Sequence, residues 1–120
     1  MHGRLLLVED DVDLRETVRD LLESEGYAVE VAGNGAVALE ILRAGCTPCL
    51  ILLDLMMPVM DGYRFCLERA EDSTLASIPV VIFSAMAKLD ASLPAGVEKV
   101  LRKPVSVEAI LGTVEQYCLA

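Results

Sequence analysis

Leu50-Ile51-Leu52-Leu53-Asp54-Leu55-Met56-Met57-Pro58-Val59-Met60-Asp61-Gly62 is the stretch on which the fold turns. Its first four residues are apolar without alternation, the pattern of a strand buried on both faces, and Asp54 stands at the strand's last position, where backbone pairing ends and water or a ligand can enter. A second apolar run, Leu5-Leu6-Leu7-Val8, ends in Glu9-Asp10-Asp11. Two acid-tipped strands predict one shared site.

Outward from these runs, short β-type segments alternate with helical periods. Arg4 to Val8 reads as a strand, and Leu14, Val18, Leu21 and Leu22 then fall on one helical face. Asp11 suits the cap of that helix and Gly26 its end. Ala28 to Ala32 is a second strand, with Asn34-Gly35 as turn and cap before a helix through Arg43. After the third strand, Gly62 to Arg69 reads as a helix, and Pro79 to Phe83 as a strand ending at Ser84. Val100 to Arg102 is a brief fifth strand before Lys103-Pro104, and Ser106 caps a last helix. Strands followed by helices through short connections imply a doubly wound five-stranded parallel α/β sheet, covered on both faces, within one domain spanning 1–120.

Composition narrows the function classes. Charged and turn residues break every apolar stretch before the roughly 18 residues that a membrane span needs. The N-terminus lacks the apolar core and cleavage site of a secretory signal, which makes the cytoplasm the default expectation. A formal charge of −9, from 19 acids against 10 bases, argues against direct nucleic-acid binding, because a phosphate backbone would be repelled. The four cysteines are expected to stay reduced, since a chain of 120 residues can bury a core without staples. Cys46-Thr47-Pro48-Cys49 has the spacing of a redox or metal pair, but zinc would need two further ligands; small-residue packing at the start of a strand is the expectation.

In parallel sheets ligands bind beyond the carboxyl ends of the strands, where strand order reverses. Glu9, Asp10, Asp54, Ser84 and Lys103 all follow strands at that edge. Three clustered carboxylates need a cation, and an all-oxygen donor set suits Mg2+ over zinc. With the charge offset, one carboxylate can attack phosphorus, while a lysine and a hydroxyl hold the oxygens of the moving phosphoryl group.

Taken together, Leu7-Val8-Glu9-Asp10, Asp54 through Gly62, Ser84-Ala85 and Lys103-Pro104 resemble the response regulator receiver domain of two-component signalling, over the whole chain. The resemblance implies a flavodoxin-like sheet of order 2-1-3-4-5, with Asp54 as phosphoacceptor and a histidine kinase or histidine phosphotransfer protein as donor. It implies that Asp10 binds Mg2+ directly, that Glu9 acts mainly through water, and that Met56 offers its backbone carbonyl. Ser84 becomes the switch hydroxyl, Lys103 the phosphoryl contact, and Lys103-Pro104 a cis peptide. Such a domain is a regulatory phosphoacceptor, and not an enzyme acting on other substrates.

Three positions depart from the family's usual pattern. Val100 occupies the place of an aromatic residue whose rotamer reports phosphorylation. The interval from Ser84 to Gly96 is short and contains Pro94, which predicts a short or irregular fourth helix. Met56 and Met86 occupy positions that tune dephosphorylation, and thioethers cannot orient a water there, which predicts slow loss of phosphate. Two rival functions carry their own signatures. A phosphohydrolase resembling the haloacid dehalogenase family would have a second Asp at position 56, and a pseudo-receiver working through its surface alone would not need the complete acid, hydroxyl and lysine set. A flavin carrier would need a Ser/Thr/Gly-rich phosphate loop after the first strand, which is lacking.

Overall fold

The structure is a computed structural model that describes residues 3–55, 57, 59–84 and 96–118. Its strands are β1 (Arg4–Val8), β2 (Ala28–Ala32), β3 (Leu50–Leu53), β4 (Val80–Ser84) and β5 (Val97–Arg102). The helices among the described residues are α1 (Val12–Ser24), α2 (Gly35–Arg43), α3 (Gly62–Glu71) and α4 (Val107–Cys118). All pairings are parallel, and the order is β2-β1-β3-β4-β5. This is the doubly wound sheet expected from the sequence, with its strand order reversing between β1 and β3. The expected short or irregular fourth helix falls within 85–95, outside the described residues.

The unbroken apolar runs serve two layers at once. Leu6, Val8, Ile51, Leu53, Val80 and Ile82 pack with Ala38, Leu39 and Leu42 of α2 and Phe65 of α3. Their sequence neighbours Leu5, Leu7, Leu50, Leu52, Val81 and Phe83 point the other way, onto Val18 and Leu22 of α1 and Ile110 and Val114 of α4. A strand alternates its side chains across the sheet, so only a continuous apolar run can feed two cores. Each fully buried leucine contributes roughly 1.5–3 kcal/mol relative to exposure.

Three helix caps fall where the sequence places them, at Asp11, Asn34 and Ser106, and the structure adds a fourth at Asp61. Asp11 accepts from the Leu14 N–H at 3.1 Å, Asn34 from Val37 at 3.0 Å, Asp61 from Arg64 at 2.9 Å and Ser106 from Ala109 at 3.1 Å. Each satisfies a backbone donor that the helix cannot pair internally. Gly26, with φ of 94°, takes the left-handed turn that releases the chain from α1 into β2.

Two expectations are corrected. The last strand begins at Val97 rather than Val100, because Val97 and Val100 pack inward while Glu98 and Lys99 stay exposed, and the register against β4 shifts at Val80/Val81. The polar pair hid the strand from a search for apolar runs. The cysteines are not all reduced: Cys49, at the entrance to β3, is disulfide-bonded to Cys118 at the end of α4, with their Cα atoms 5.3 Å apart. A separation of 69 residues conceals such a pairing until the fold brings the two ends together.

Candidate functional site

The switch in strand order leaves a crevice beyond the carboxyl ends of β1 and β3, and the acids line it. The Asp54 N–H donates to the Val8 carbonyl at 3.0 Å, and the Glu9 N–H to the Ala32 carbonyl at 3.0 Å. Both acids are thus held by the last rungs of the sheet. Oxygens of Glu9, Asp10 and Asp54 lie within 4.8 Å of one another. Glu9 and Asp54 are only 1% and 4% exposed, while Asp10 stands at the open rim.

Lys103, just past β5, reaches across this cluster. Its Nζ lies 2.7 Å from Glu9 Oε1 and 3.5 Å from Asp54 Oδ2, with the Phe83 ring centroid 5.1 Å away. Burial pushes the Lys103 pKa down, but the hydrogen bond to Glu9 and the charges of Asp54 and Glu9 outweigh it and hold it above the ordinary lysine value. Asp10 shifts upward from 3.8, first through burial and then through a hydrogen bond with Glu9. Glu9 is further fixed by the Asp11 N–H, which donates to Oε2 at 3.1 Å, and by Arg15 Nη1, which donates to the Glu9 carbonyl at 3.1 Å.

Ser84 ends β4, is 1% exposed, and pairs in register with Arg102. Its carbonyl accepts from the Lys103 N–H at 2.9 Å, which ties the hydroxyl-bearing strand end to the lysine. The Lys103-Pro104 peptide is cis. Val100 packs partly buried against the α2–α3 side of the sheet. Met56 and Met86 lie outside the described residues.

The segment after Asp54 returns directly into α3. The Gly62 N–H donates to the Leu55 carbonyl at 3.0 Å, and a Cβ at Gly62 would stand 2.8 Å from Leu55 Cα and 2.9 Å from the Asp54 carbonyl oxygen. Glycine is therefore required for the Asp61-capped helix to start against the acid-bearing strand. Val59 in this loop has φ of 66°, unusual for a β-branched residue, and is 85% exposed. The fold thus gathers Glu9, Asp10, Asp54, Ser84 and Lys103 at one sheet edge. Arg15 and Phe83, which steady Glu9 and Lys103, were not singled out by sequence reading; the signal for Arg15 was its place one turn past the Asp11 cap.

What can such a set hold? Among the described residues, three clustered carboxylates meet the lysine Lys103, and their oxygens suit a hard divalent cation such as Mg2+. The donor chemistry therefore fits the ion.

Comparison with known proteins agrees with this arrangement. Residues 5–115 match the response regulator receiver domain, and the chain belongs to that family. It is 38% identical over 114 residues to the response regulator MprA of Mycobacterium ulcerans, covering 92% of this chain and 48% of that protein, so it spans about half of that relative's length. The receiver domain of a signal transduction histidine kinase from Syntrophus aciditrophicus superposes with a TM-score of 0.84 at 31% identity, over 96% of this chain and 89% of that one. The receiver domain of a sensor histidine kinase from Pseudomonas aeruginosa, which has a magnesium ion coordinated in its active-site cleft, superposes with a TM-score of 0.86 at 26% identity, over 98% of each chain. Two-component signalling is thus the setting of this fold, and receiver domains pair with histidine kinases. The family is in general a regulatory phosphoacceptor rather than an enzyme. Among the described residues, no helix is long and apolar enough to cross a membrane.

Proposed function

We propose that residues 1–120 form a single receiver domain that accepts a phosphoryl group on Asp54 from a histidine kinase or histidine phosphotransfer protein, and so controls a partner in the cytoplasm. The observation that carries this reading is Lys103 Nζ, 2.7 Å from Glu9 and 3.5 Å from Asp54, within a group of three carboxylates. A cation held against two acids at a strand end is a ready contact for an incoming phosphoryl oxygen.

Glu9, Asp10, Asp54 and the Met56 carbonyl would hold Mg2+, with Glu9 acting mainly through water. Bound there, the ion offsets negative charge on the carboxylates and on the phosphoryl oxygens. An Asp54 carboxylate oxygen attacks phosphorus in line with the phosphohistidine bond. The new O–P bond forms as the N–P bond breaks, and the histidine nitrogen keeps the electron pair. Lys103 then exchanges part of its pairing with the acids for a phosphoryl oxygen. The Ser84 hydroxyl donates to another, drawing the end of β4 toward Asp54. Such a shift biases a two-state equilibrium in the loops after β3 and β4.

Incubation with acetyl phosphate and Mg2+ tests the assignment. Intact-mass analysis is expected to show one added phosphoryl group on the wild type and none on Asp54→Asn. Undiminished labelling of the variant would place the acceptor elsewhere.

A further inference from the structure

At the sheet edge opposite the acidic crevice, the structure holds cysteine chemistry that phosphoryl transfer does not use. We propose that Cys46, Cys49 and Cys118 form a thiol–disulfide exchange site. Cys46 is its resolving thiol, moving the Cys49–Cys118 bond to a Cys46–Cys49 bond and freeing the end of α4.

Cys49 and Cys118 are bonded, while Cys46, in the same short loop as Cys49, is a free and partly exposed thiol. Arg4 braces the second of the two loop cysteines. Its carbonyl accepts from the Cys49 N–H at 2.9 Å and lies 3.1 Å from Cys49 Sγ. The Cys46 N–H donates to the Ile41 carbonyl at 3.3 Å, which fixes the start of the loop on α2. Two intervening residues, Thr47 and Pro48, give the spacing at which paired cysteines close a disulfide between themselves. A Cβ at Gly3 would stand 2.8 Å from Cys49 Sγ, so the glycine leaves room beside the bond.

The exchange balances within the chain. The Cys46 thiolate attacks Cys49 Sγ, the Cys46–Cys49 bond forms as the Cys49–Cys118 bond breaks, and Cys118 leaves with the electron pair as a thiolate. It takes up the proton that Cys46 released. No outside oxidant enters, because the oxidised pair is already present. Burial raises the Cys46 thiol above its ordinary value and Glu30 adds to this, while the Arg4 guanidinium opposes it. Cys66 takes no part: it is buried on α3, and burial pushes its thiol up to about 11.

Exchange would release one end of α4 without touching the acids. The helix follows the Lys103-Pro104 turn at its start and is bonded through Cys118 at its finish. The exchange would thus act on the helix that follows the Lys103-Pro104 turn, from its far end.

The test equilibrates the native full chain in mixed reduced and oxidised glutathione, quenches with acid, alkylates and maps the linkages by mass spectrometry. Wild type is expected to show both Cys49–Cys118 and Cys46–Cys49 linkages. Cys46→Ser is expected to show Cys49–Cys118 alone, and Cys118→Ser to show Cys46–Cys49. Wild type with Cys49–Cys118 alone and Cys46 fully alkylated overturns the proposal, as does wild type with neither linkage. Alkylation of Cys66 marks any variant that has unfolded, and the wild-type result decides without it.

Discussion

At the residue scale, Asp10 shows how the crevice is balanced. Its pKa is raised above 3.8 in the fold, so its protonated form adds stability that is present below 3.8 and is lost as pH rises through the folded value. At neutral pH the charged form is therefore under strain from its surroundings, and a cation relieves it. Mg2+ is expected to raise the melting temperature at pH 7, with an increment that shrinks on acidification, starting at a higher pH than an unperturbed aspartate would give. Calorimetry with and without Mg2+ across pH 4–7 checks this, and a melting temperature indifferent to Mg2+ at pH 7 counts against it. Gly62 makes a second residue-scale point. Gly62→Ala forces a Cβ against Leu55 and the Asp54 carbonyl, and is expected to cost about 1–3 kcal/mol. Urea denaturation reads it directly. The roles of Asp11, Asn34 and Ser106 as caps were legible because a cap is a local device. The grip of Lys103 on Glu9 was not, since the two residues are 94 apart in sequence and meet only through the sheet order.

Elements differ in how plainly the sequence announces them. The central strands β1, β3 and β4 stood out because burial on both faces demands continuous apolar residues. At the sheet edge the rule relaxes, and β5 mixes exposed Glu98 and Lys99 with inward Val97 and Val100, so its first half was missed. Helix α4 offers a clean contrast to the crowded glycine at α3. Gly112 lies in its exposed interior, where a Cβ would meet nothing within 4 Å. Gly112→Ala is accordingly expected to stabilise the chain by about 0.5–1 kcal/mol, through helix propensity alone. A raised urea midpoint with an unchanged slope would bear this out, and a lowered midpoint would refute it.

For the whole molecule, chemistry divides between the two ends of one sheet. The carboxyl ends of the strands hold the acids, Ser84 and Lys103, while the amino end of β3 holds the sulfur bridge to α4. The bridge spans 69 residues of sequence, for which loop-closure entropy gives about 4 kcal/mol of stability. Reduction with a dithiol is expected to lower the urea midpoint by a corresponding amount, and an unchanged midpoint would show that the bond constrains little. Sequence composition pointed away from this bridge, because a chain this long has core enough without one, and that physical argument sets what is required rather than what is present. Held by Lys103-Pro104 at one end and by Cys118 at the other, α4 has lost the free end from which helices ordinarily fray. Its last-turn amides would then exchange with deuterium nearly as slowly as those at its middle, and the protection profile along the helix would become a direct gauge of whether the sulfur bridge is closed.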